Sequence, residues 1–89
     1  MDTEPIQLPL FPETVALTRI RPDRNEWRFY RMAVWPDLFG RALLARQWGR
    51  IDTQGRVRLD LHPDAGAAIN ALAQLARTKR RRGYRDQPA

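Results

Sequence analysis

The sequence contains no cysteine and a single histidine, His62. Disulfide bonds and cysteine-based zinc sites are therefore excluded, and one imidazole argues against most other metal sites. A nucleophilic triad is equally hard to build, because His62 stands beside a proline and the ten acidic residues show no paired spacing. We expect no metal, no cofactor and no enzymatic activity.

Long apolar runs are also missing. No run approaches the ~18 residues that a membrane-spanning helix needs. The first residues, MDTEPIQLPLFPE, lack the basic start and long apolar middle of a signal peptide. With 89 residues, the chain has room for one small domain at most. These features predict a small cytoplasmic protein with no membrane partner.

Positive charge is abundant. The chain has 16 basic and 10 acidic residues, a formal net charge of +6, and every basic residue but one is arginine. Residues 1–13 hold three acidic and no basic residues, so the other 76 residues carry +9. A GC-rich genome would favour arginine over lysine, but it would not create the net charge. A basic body predicts a nucleic-acid partner and a nucleoid-associated protein, and the guanidinium group suits phosphate because it donates two hydrogen bonds at once.

The pattern of the chain predicts an α+β fold preceded by an arm. Residues 1–13, with three prolines and no periodicity, are typical of a flexible arm, and residues 14–86 form the domain. TVALTRIR, EWRFYRMAV, RALLARQWGRI and RVRLDLH indicate about four strands of a small twisted antiparallel sheet. PDAGAAINALAQLARTKRRRG predicts one C-terminal amphipathic helix packed on that sheet, capped by Asp64 and ended by Gly83.

The third strand raises the question of where Trp48 points. Arg46, Trp48 and Arg50 share one face of the strand, because side chains alternate. Burying two unpaired arginines is costly, so this face is predicted to meet water and to carry Trp48 outward.

The following hairpin fits that prediction if Thr53, Gln54 and Gly55 form a three-residue loop. Trp48 then pairs with Asp60, and the apolar side chains of the fourth strand fall on the core side; they are Val57, Leu59 and Leu61. A four-residue loop, or a bulge at Gly49, would turn Trp48 into the core instead, so that alternative stays open.

An exposed indole among arginines has a recognisable chemistry. Its flat face can stack on a base, an interaction worth ~1–3 kcal/mol. Gly49 lacks a side chain, which lets a ligand approach the backbone closely. The cations predicted to surround the indole and reach phosphates are Arg46, Arg50, Arg56 and Arg58.

The end of the helix, RTKRRRGYR, adds six basic residues. Consecutive helical positions lie about 100° apart, so these residues cannot all face one partner. A solvated helix end is therefore one interpretation of this segment. The other is that Lys79, Arg81 and Arg82 contact phosphates while Tyr84 packs or stacks.

QWGRI, residues 47–51, resembles the signature of the WGR domain. NEWRFYRM, PDLFG, LLARQWGRI and KRRRGY also occur in the order and rough spacing found in bacterial WGR proteins, so the resemblance covers about residues 17 to 86. It implies a small twisted antiparallel sheet with a helix, and a nucleic-acid-binding module like that of DNA-damage-sensing poly(ADP-ribose) polymerases. It gives Trp48 the role of stacking on the terminal nucleotide at a DNA break. Arg50 would contact the backbone or organise neighbouring protein.

This sequence departs from the family in two respects. Asp52 stands where glycine is common, and an added carboxylate does not favour a nearby phosphate. The catalytic region of the polymerases does not fit within 89 residues, so ADP-ribosyl transfer is not implied for this chain.

The arm contains QLPLF, which resembles the short peptide that bacterial polymerases and repair proteins dock on the DNA sliding clamp. In that hypothesis Gln7 makes polar contacts and Leu8, Leu10 and Phe11 provide the apolar ones, while Pro9 lowers the cost of ordering the peptide. Alternatively, the apolar side chains cover an open edge of the core.

Two functions follow. The first is a DNA-binding module that prefers ends, nicks or gaps, with RNA open because no residue discriminates the sugars. The second is a protein-interaction adaptor that docks through QLPLF and binds DNA incidentally.

Overall fold

The computed structural model describes residues 13–87, so QLPLF and most of the arm lie outside it. The α+β prediction is confirmed, with one more strand than the four predicted. Within the described range, no helix has the length and apolar character needed to cross a membrane. The elements are β1 (Thr14–Arg21), a 3-10 turn (Pro22–Arg24), β2 (Glu26–Pro36), β3 (Ala42–Arg50), β4 (Arg56–His62), α1 (Ala65–Arg81) and β5 (Arg85–Asp86).

The strands form one antiparallel sheet in the order β4-β3-β2-β1-β5. The turn after β1 closes at Asn25, which adopts the left-handed conformation with φ 51° and donates its backbone N–H to the carbonyl of Pro22. Asparagine tolerates this conformation better than most residues. The loop after β2 is held by Asp37, whose carboxylate accepts from the backbone N–H of Arg41 and pairs with its guanidinium.

Helix α1 begins and ends where the sequence predicts. The carboxylate of Asp64 accepts a 2.8 Å hydrogen bond from the backbone N–H of Ala67. At the other end Gly83 takes φ 96° and donates to Arg80, while Tyr84 donates to the carbonyl of Lys79 at 3.1 Å. This pair of bonds is the Schellman arrangement. It reverses the chain, and the Tyr84 ring is buried in the main hydrophobic cluster.

The core lies between α1 and one face of the sheet, which we call the helix face. Leu17 of β1 and Leu44 of β3 are fully buried there, and Ala68, Leu72 and Ala76 face them from the helix. The strands extend past the helix. The helix face is therefore apolar beneath α1 and rich in arginine beyond it, where Arg19, Arg28, Arg46 and Arg50 lie in register with the core residues of the same strands.

The prediction of which face forms the core was wrong. Ala42 and Leu44 share the face of Trp48 and are buried beneath α1. The opposite face, the open face, holds Val57, Leu59 and Leu61, which are 63%, 61% and 57% exposed rather than in the core. The arginines misled the prediction because one face of a long strand can be covered at one end and wet at the other.

The predicted hairpin register was wrong by four residues. Trp48 pairs with Arg56 instead of Asp60, and Arg46 pairs with Arg58. The connection is longer than three residues and folds back toward the open face, where Ile51, Asp52 and Thr53 line a cavity beside Phe29. A shift by an even number of residues does not exchange the two faces of a strand. The side chains predicted to share the face of Trp48 therefore still share it.

The absent side chain of Gly49 makes room for this loop. A Cβ atom at position 49 would lie 2.7 Å from the Cα of Gly55. We expect Gly49→Ala to lower the free energy of unfolding by about 1–3 kcal/mol, since the backbone must move apart. Urea unfolding measures this, and an unchanged midpoint would show that the contact is not a constraint.

Candidate nucleic-acid interface

Three aromatic rings meet where the helix ends over the sheet. Tyr30 of β2 and Trp48 of β3 are cross-strand neighbours, with ring centroids 5.8 Å apart and planes inclined by 22°. Tyr84 meets Tyr30 edge-on at 6.4 Å. We call these three residues the aromatic cluster. It forms because the Schellman turn returns Tyr84 to the sheet beside Tyr30.

Trp48 was predicted to point outward into water. In the structure its side chain is neither fully exposed nor sealed in the core. It is half-buried and packs against the edge of the hydrophobic core through Tyr30. The rest of the ring borders an open cleft of about 420 Å³. The cleft is lined by Arg24, Asn25, Glu26, Trp27, Arg28, Trp48, Gly49, Arg50 and Tyr84.

Lys79 is the cation closest to a ring centre of the aromatic cluster. Its Nζ lies 4.5 Å from the centroid of Tyr30 and 5.6 Å from that of Tyr84. Burial lowers the pKa of Lys79 below its ordinary value, and the guanidinium charges around it, of which Arg82 contributes most, lower it further. Lys79 therefore occupies a positive environment that would favour an anion.

Arg46 is held by protein contacts. Its guanidinium forms a 3.1 Å ion pair with Asp60 of β4, donates a 3.3 Å hydrogen bond to the hydroxyl of Tyr30 and lies 5.9 Å from the Trp48 ring centroid. Arg58 pairs with the same carboxylate at 2.8 Å. Both arginines share the face of Trp48, as predicted. Their charge is partly neutralised, however, and Arg46 mainly positions the two rings.

Arg19, which lies over the Tyr84 ring, pairs with Glu26 at 2.9 Å, but several other cations near the aromatic cluster have no acidic partner within residues 13–87. Arg28 and Arg50 line the cleft, and Arg56 is the cross-strand neighbour of Trp48. Lys79 and Arg82 approach from the helix end. We call this set the free cations; its members are Arg28, Arg50, Arg56, Lys79 and Arg82.

The Trp48-Gly49-Arg50 run links the cleft to the turn after β1. The Arg50 guanidinium makes two long hydrogen bonds of 3.4 Å to the backbone carbonyl and side-chain oxygen of Asn25. These contacts connect β3 to the turn after β1, and they leave the guanidinium exposed at the cleft.

On the helix end, the structure separates residues that the sequence grouped together. Tyr84 belongs to the aromatic cluster, and Lys79 lies against its rings. Arg19 donates a 2.9 Å hydrogen bond to the backbone carbonyl of Arg82 and lies over the Tyr84 ring, which fixes the helix end to the sheet. Arg81 is exposed, and within residues 13–87 no ion pair or ring contact joins it to the cluster.

The sequence prediction missed Arg28, Tyr30 and Asn25. The alternation of EWRFYRMAV places Arg28 and Tyr30 on one face, but only the β2–β3 pairing makes them neighbours of the WGR residues. Asn25 could be found only from the turn geometry. Within residues 13–87, no group of acidic and histidine side chains is arranged to hold a metal ion.

Comparison with known proteins gives a consistent assignment. The family model of the WGR domain matches residues 13–89. An uncharacterized protein of Sinorhizobium fredii (strain NBRC 101917 / NGR234), y4dW, is 38% identical over 78 residues, which cover 88% of this chain and 38% of that protein. The chain thus spans well under half of the length of this curated relative. No solved structure matches the chain. The chain belongs to the WGR domain family.

Proposed function

We propose that this domain binds DNA and prefers ends, nicks or gaps. The observation that carries the proposal is the half-buried Trp48, which stacks on Tyr30 and borders a cleft. Arg28 and Arg50 line that cleft and have no acidic partner in residues 13–87. A ring that is fixed on one side and open on the other offers a prepared surface for a base. Family membership supports the same function.

The preference for broken DNA follows from base accessibility. Within an intact duplex both faces of each base are stacked, so an indole gains contact only by unstacking them. At an end the terminal base has a free face, and at a nick or gap the broken backbone lets the stack open at a lower cost. Stacking on an aromatic side chain is worth ~1–3 kcal/mol. Trp48 takes this role, while Tyr30 and Arg46 hold its ring in place.

Four of the free cations supply the phosphate contacts. Arg28 and Arg50 border the cleft itself, so they bind phosphates next to the stacked nucleotide. Lys79 and Arg82 extend the positive surface toward the helix end. The positive charges of these side chains repel one another. A phosphate bound among them reduces this repulsion, and the relief adds to the affinity for phosphate.

We expect Lys79→Gln to weaken DNA binding about 5- to 10-fold, which corresponds to roughly 1 kcal/mol for one lost hydrogen-bonded contact near the surface. Arg81→Gln is the matched control at the same helix end, and its effect should be under twofold because the side chain is separate from the cluster. Fluorescence anisotropy at one fixed salt concentration measures both. Equal effects would show that the helix end acts only through its total charge.

Binding should also depend on pH through Lys79. A bound phosphate raises the lowered pKa of this lysine, so binding takes up a proton at pH values around that lowered pKa. Affinity is therefore expected to fall as the pH rises through the lowered pKa, and the fall should be smaller in Lys79→Gln. A pH series of titrations of both proteins measures the difference. Identical pH profiles would contradict this account.

The proposed function is tested by titrating nicked, blunt-ended and closed circular duplexes of the same sequence. We expect tighter binding to the nicked and blunt-ended forms. A single-stranded RNA of the same sequence tests the RNA alternative. Equal affinity for all DNA forms would leave only general charge attraction, and the end-binding proposal would be abandoned.

A second proposal concerns partner docking through QLPLF, residues 7–11, which lie outside the described residues. Its support is the sequence motif alone. If it holds, purified sliding clamp retains the wild-type chain on a resin, and the Leu10→Ala/Phe11→Ala variant is lost. Retention of that double variant would end the docking hypothesis.

A further inference from the structure

Strand β4 is an edge of the sheet, and its exposed side chains alternate in a regular way. On the side away from β3, no other strand within residues 13–87 pairs with it. Its odd positions on the open face are apolar and more than half exposed: Val57, Leu59 and Leu61. Such an apolar edge is a template for another strand unless it is protected.

The open face of β4 lacks the usual devices that protect an edge. The strand runs for seven residues without proline, and its charged side chains, Arg56, Arg58 and Asp60, all lie on the helix face. Among the residues of β1–β4, the open face carries one charged side chain, Arg31. Val57, Leu59 and Leu61 therefore belong both to the unpaired edge and to the apolar open face. Within residues 13–87, no strand lies beside them on the side away from β3.

We propose that two copies of this chain pair through β4, antiparallel, about a two-fold axis at Leu59. In this register Leu59 faces Leu59 of the second copy, and Val57 faces Leu61. On the helix face, Arg58 lies opposite Asp60 of the second copy, and the symmetry repeats that pair. Directly opposite side chains of unlike charge stabilise an antiparallel pair, so the strand is complementary to itself.

The complementarity is specific to one register. If the axis moves by one residue to position 58, Arg56 faces Asp60 of the second copy, but Arg58 then faces Arg58, a like-charge pair that the axis at Leu59 avoids. If it moves to position 60, Asp60 faces Asp60. Like charges directly opposite destabilise a strand pair. A strand of the composition RVRLDLH thus selects the axis at Leu59 over its two neighbours.

The proposed pairing has a geometric consequence that goes beyond the DNA-binding proposal. Two five-stranded sheets become one sheet of ten strands, with both helices on the same side. Trp48 pairs with Arg56, three residues from the axis. From strand rise and spacing, the two Trp48 residues would lie roughly 25 Å apart on the same side of the dimer.

The contact is small. A seven-residue strand edge buries less than the ~1,200 Å² of a stable interface, so we expect weak association that appears at ~0.1–1 mM. Sedimentation velocity of the full chain over this range measures it. A wild-type protein that stays monomeric throughout would overturn the proposal.

Charge exchange tests the register. Arg58→Asp places a second carboxylate opposite Asp60, and Asp60→Arg places a second guanidinium opposite Arg58, so each variant alone should remain monomeric. Mixed in equal amounts, the two variants become complementary at both positions, and association should return. A mixture that stays monomeric while the wild type associates would exclude this register.

Asp60→Arg also removes the partner of Arg46, so a second measurement uses cysteine at the exposed positions. The chain has no cysteine of its own. Leu59→Cys should form a disulfide-linked dimer on mild oxidation, because position 59 faces itself at cross-strand distance. Val57→Cys alone should not, but it should cross-link with Leu61→Cys in a mixture. Equal cross-linking of all three single variants would indicate random collision and contradict the axis at Leu59.

Discussion

Replacing Trp48 with alanine should weaken binding to nicked or blunt-ended DNA by roughly 10- to 100-fold, the equivalent of one lost base stack. Binding to closed circular DNA should change little, because that form offers no free base face and is held by the cations. The variant is therefore expected to lose the preference for broken DNA rather than all affinity. Titration of the three DNA forms with both proteins measures the ratio.

The chain offers a matched control for this substitution. Trp35 is also a strand tryptophan, but it lies on the open face and is 53% exposed, away from the cleft. Trp35→Ala should leave the preference for broken DNA unchanged. Because Trp48 also packs against Tyr30, urea unfolding must show that Trp48→Ala is folded under the binding conditions. A folded Trp48→Ala that keeps the wild-type preference would remove the stacking role.

The affinity for DNA should fall by about 100-fold between 50 and 200 mM salt, if about four phosphates are neutralised. The four cations that we assign to these contacts are Arg28, Arg50, Lys79 and Arg82. Each contact releases counterions, so the logarithm of the binding constant falls linearly with the logarithm of the salt concentration. Titration at four or five salt concentrations gives the slope.

The slope also shows which cations are used. Arg28→Gln/Arg82→Gln should reduce its magnitude by about two, because each lost phosphate contact removes ~0.9. Arg77→Gln/Arg85→Gln removes the same charge from exposed positions that do not line the cleft, and its slope should stay near the wild-type value. An equal reduction in both variants, or a flat salt response of the wild type, would contradict a localised phosphate site.

Local features of the fold could be predicted because each depends on a few neighbouring residues. Asp64 and Gly83 mark the helix ends through capping chemistry that does not need the rest of the molecule. Alternation also placed Arg46, Trp48 and Arg50 on one face correctly. The prediction of which sheet face forms the core was wrong because it depends on contacts between elements. Which face α1 covers depends on packing, and Leu44 and Arg46 share a face although one lies beneath the helix and the other beyond it.

The candidate site was predicted only in part for the same reason. Trp48 and its arginines were found from one strand and its hairpin. Tyr30 and Arg28 come from β2, and Tyr84 and Lys79 come from the helix end, so their meeting depends on strand pairing and on the Schellman turn. The sequence also could not show that Asp60 neutralises Arg46, because this ion pair joins β3 and β4 and depends on the true register of β4.

The central claim is that DNA meets the aromatic cluster, and fluorine NMR tests it most directly. The chain has three tryptophans, so labelling with 5-fluorotryptophan gives three resonances, assigned by single replacements with phenylalanine. On titration with a nicked hairpin, we predict a large shift for Trp48, a smaller one for Trp27 at the cleft wall, and none for Trp35. If the DNA saturates the protein and the Trp48 resonance does not shift, the account is contradicted. A largest shift for the Trp35 resonance would contradict it as well.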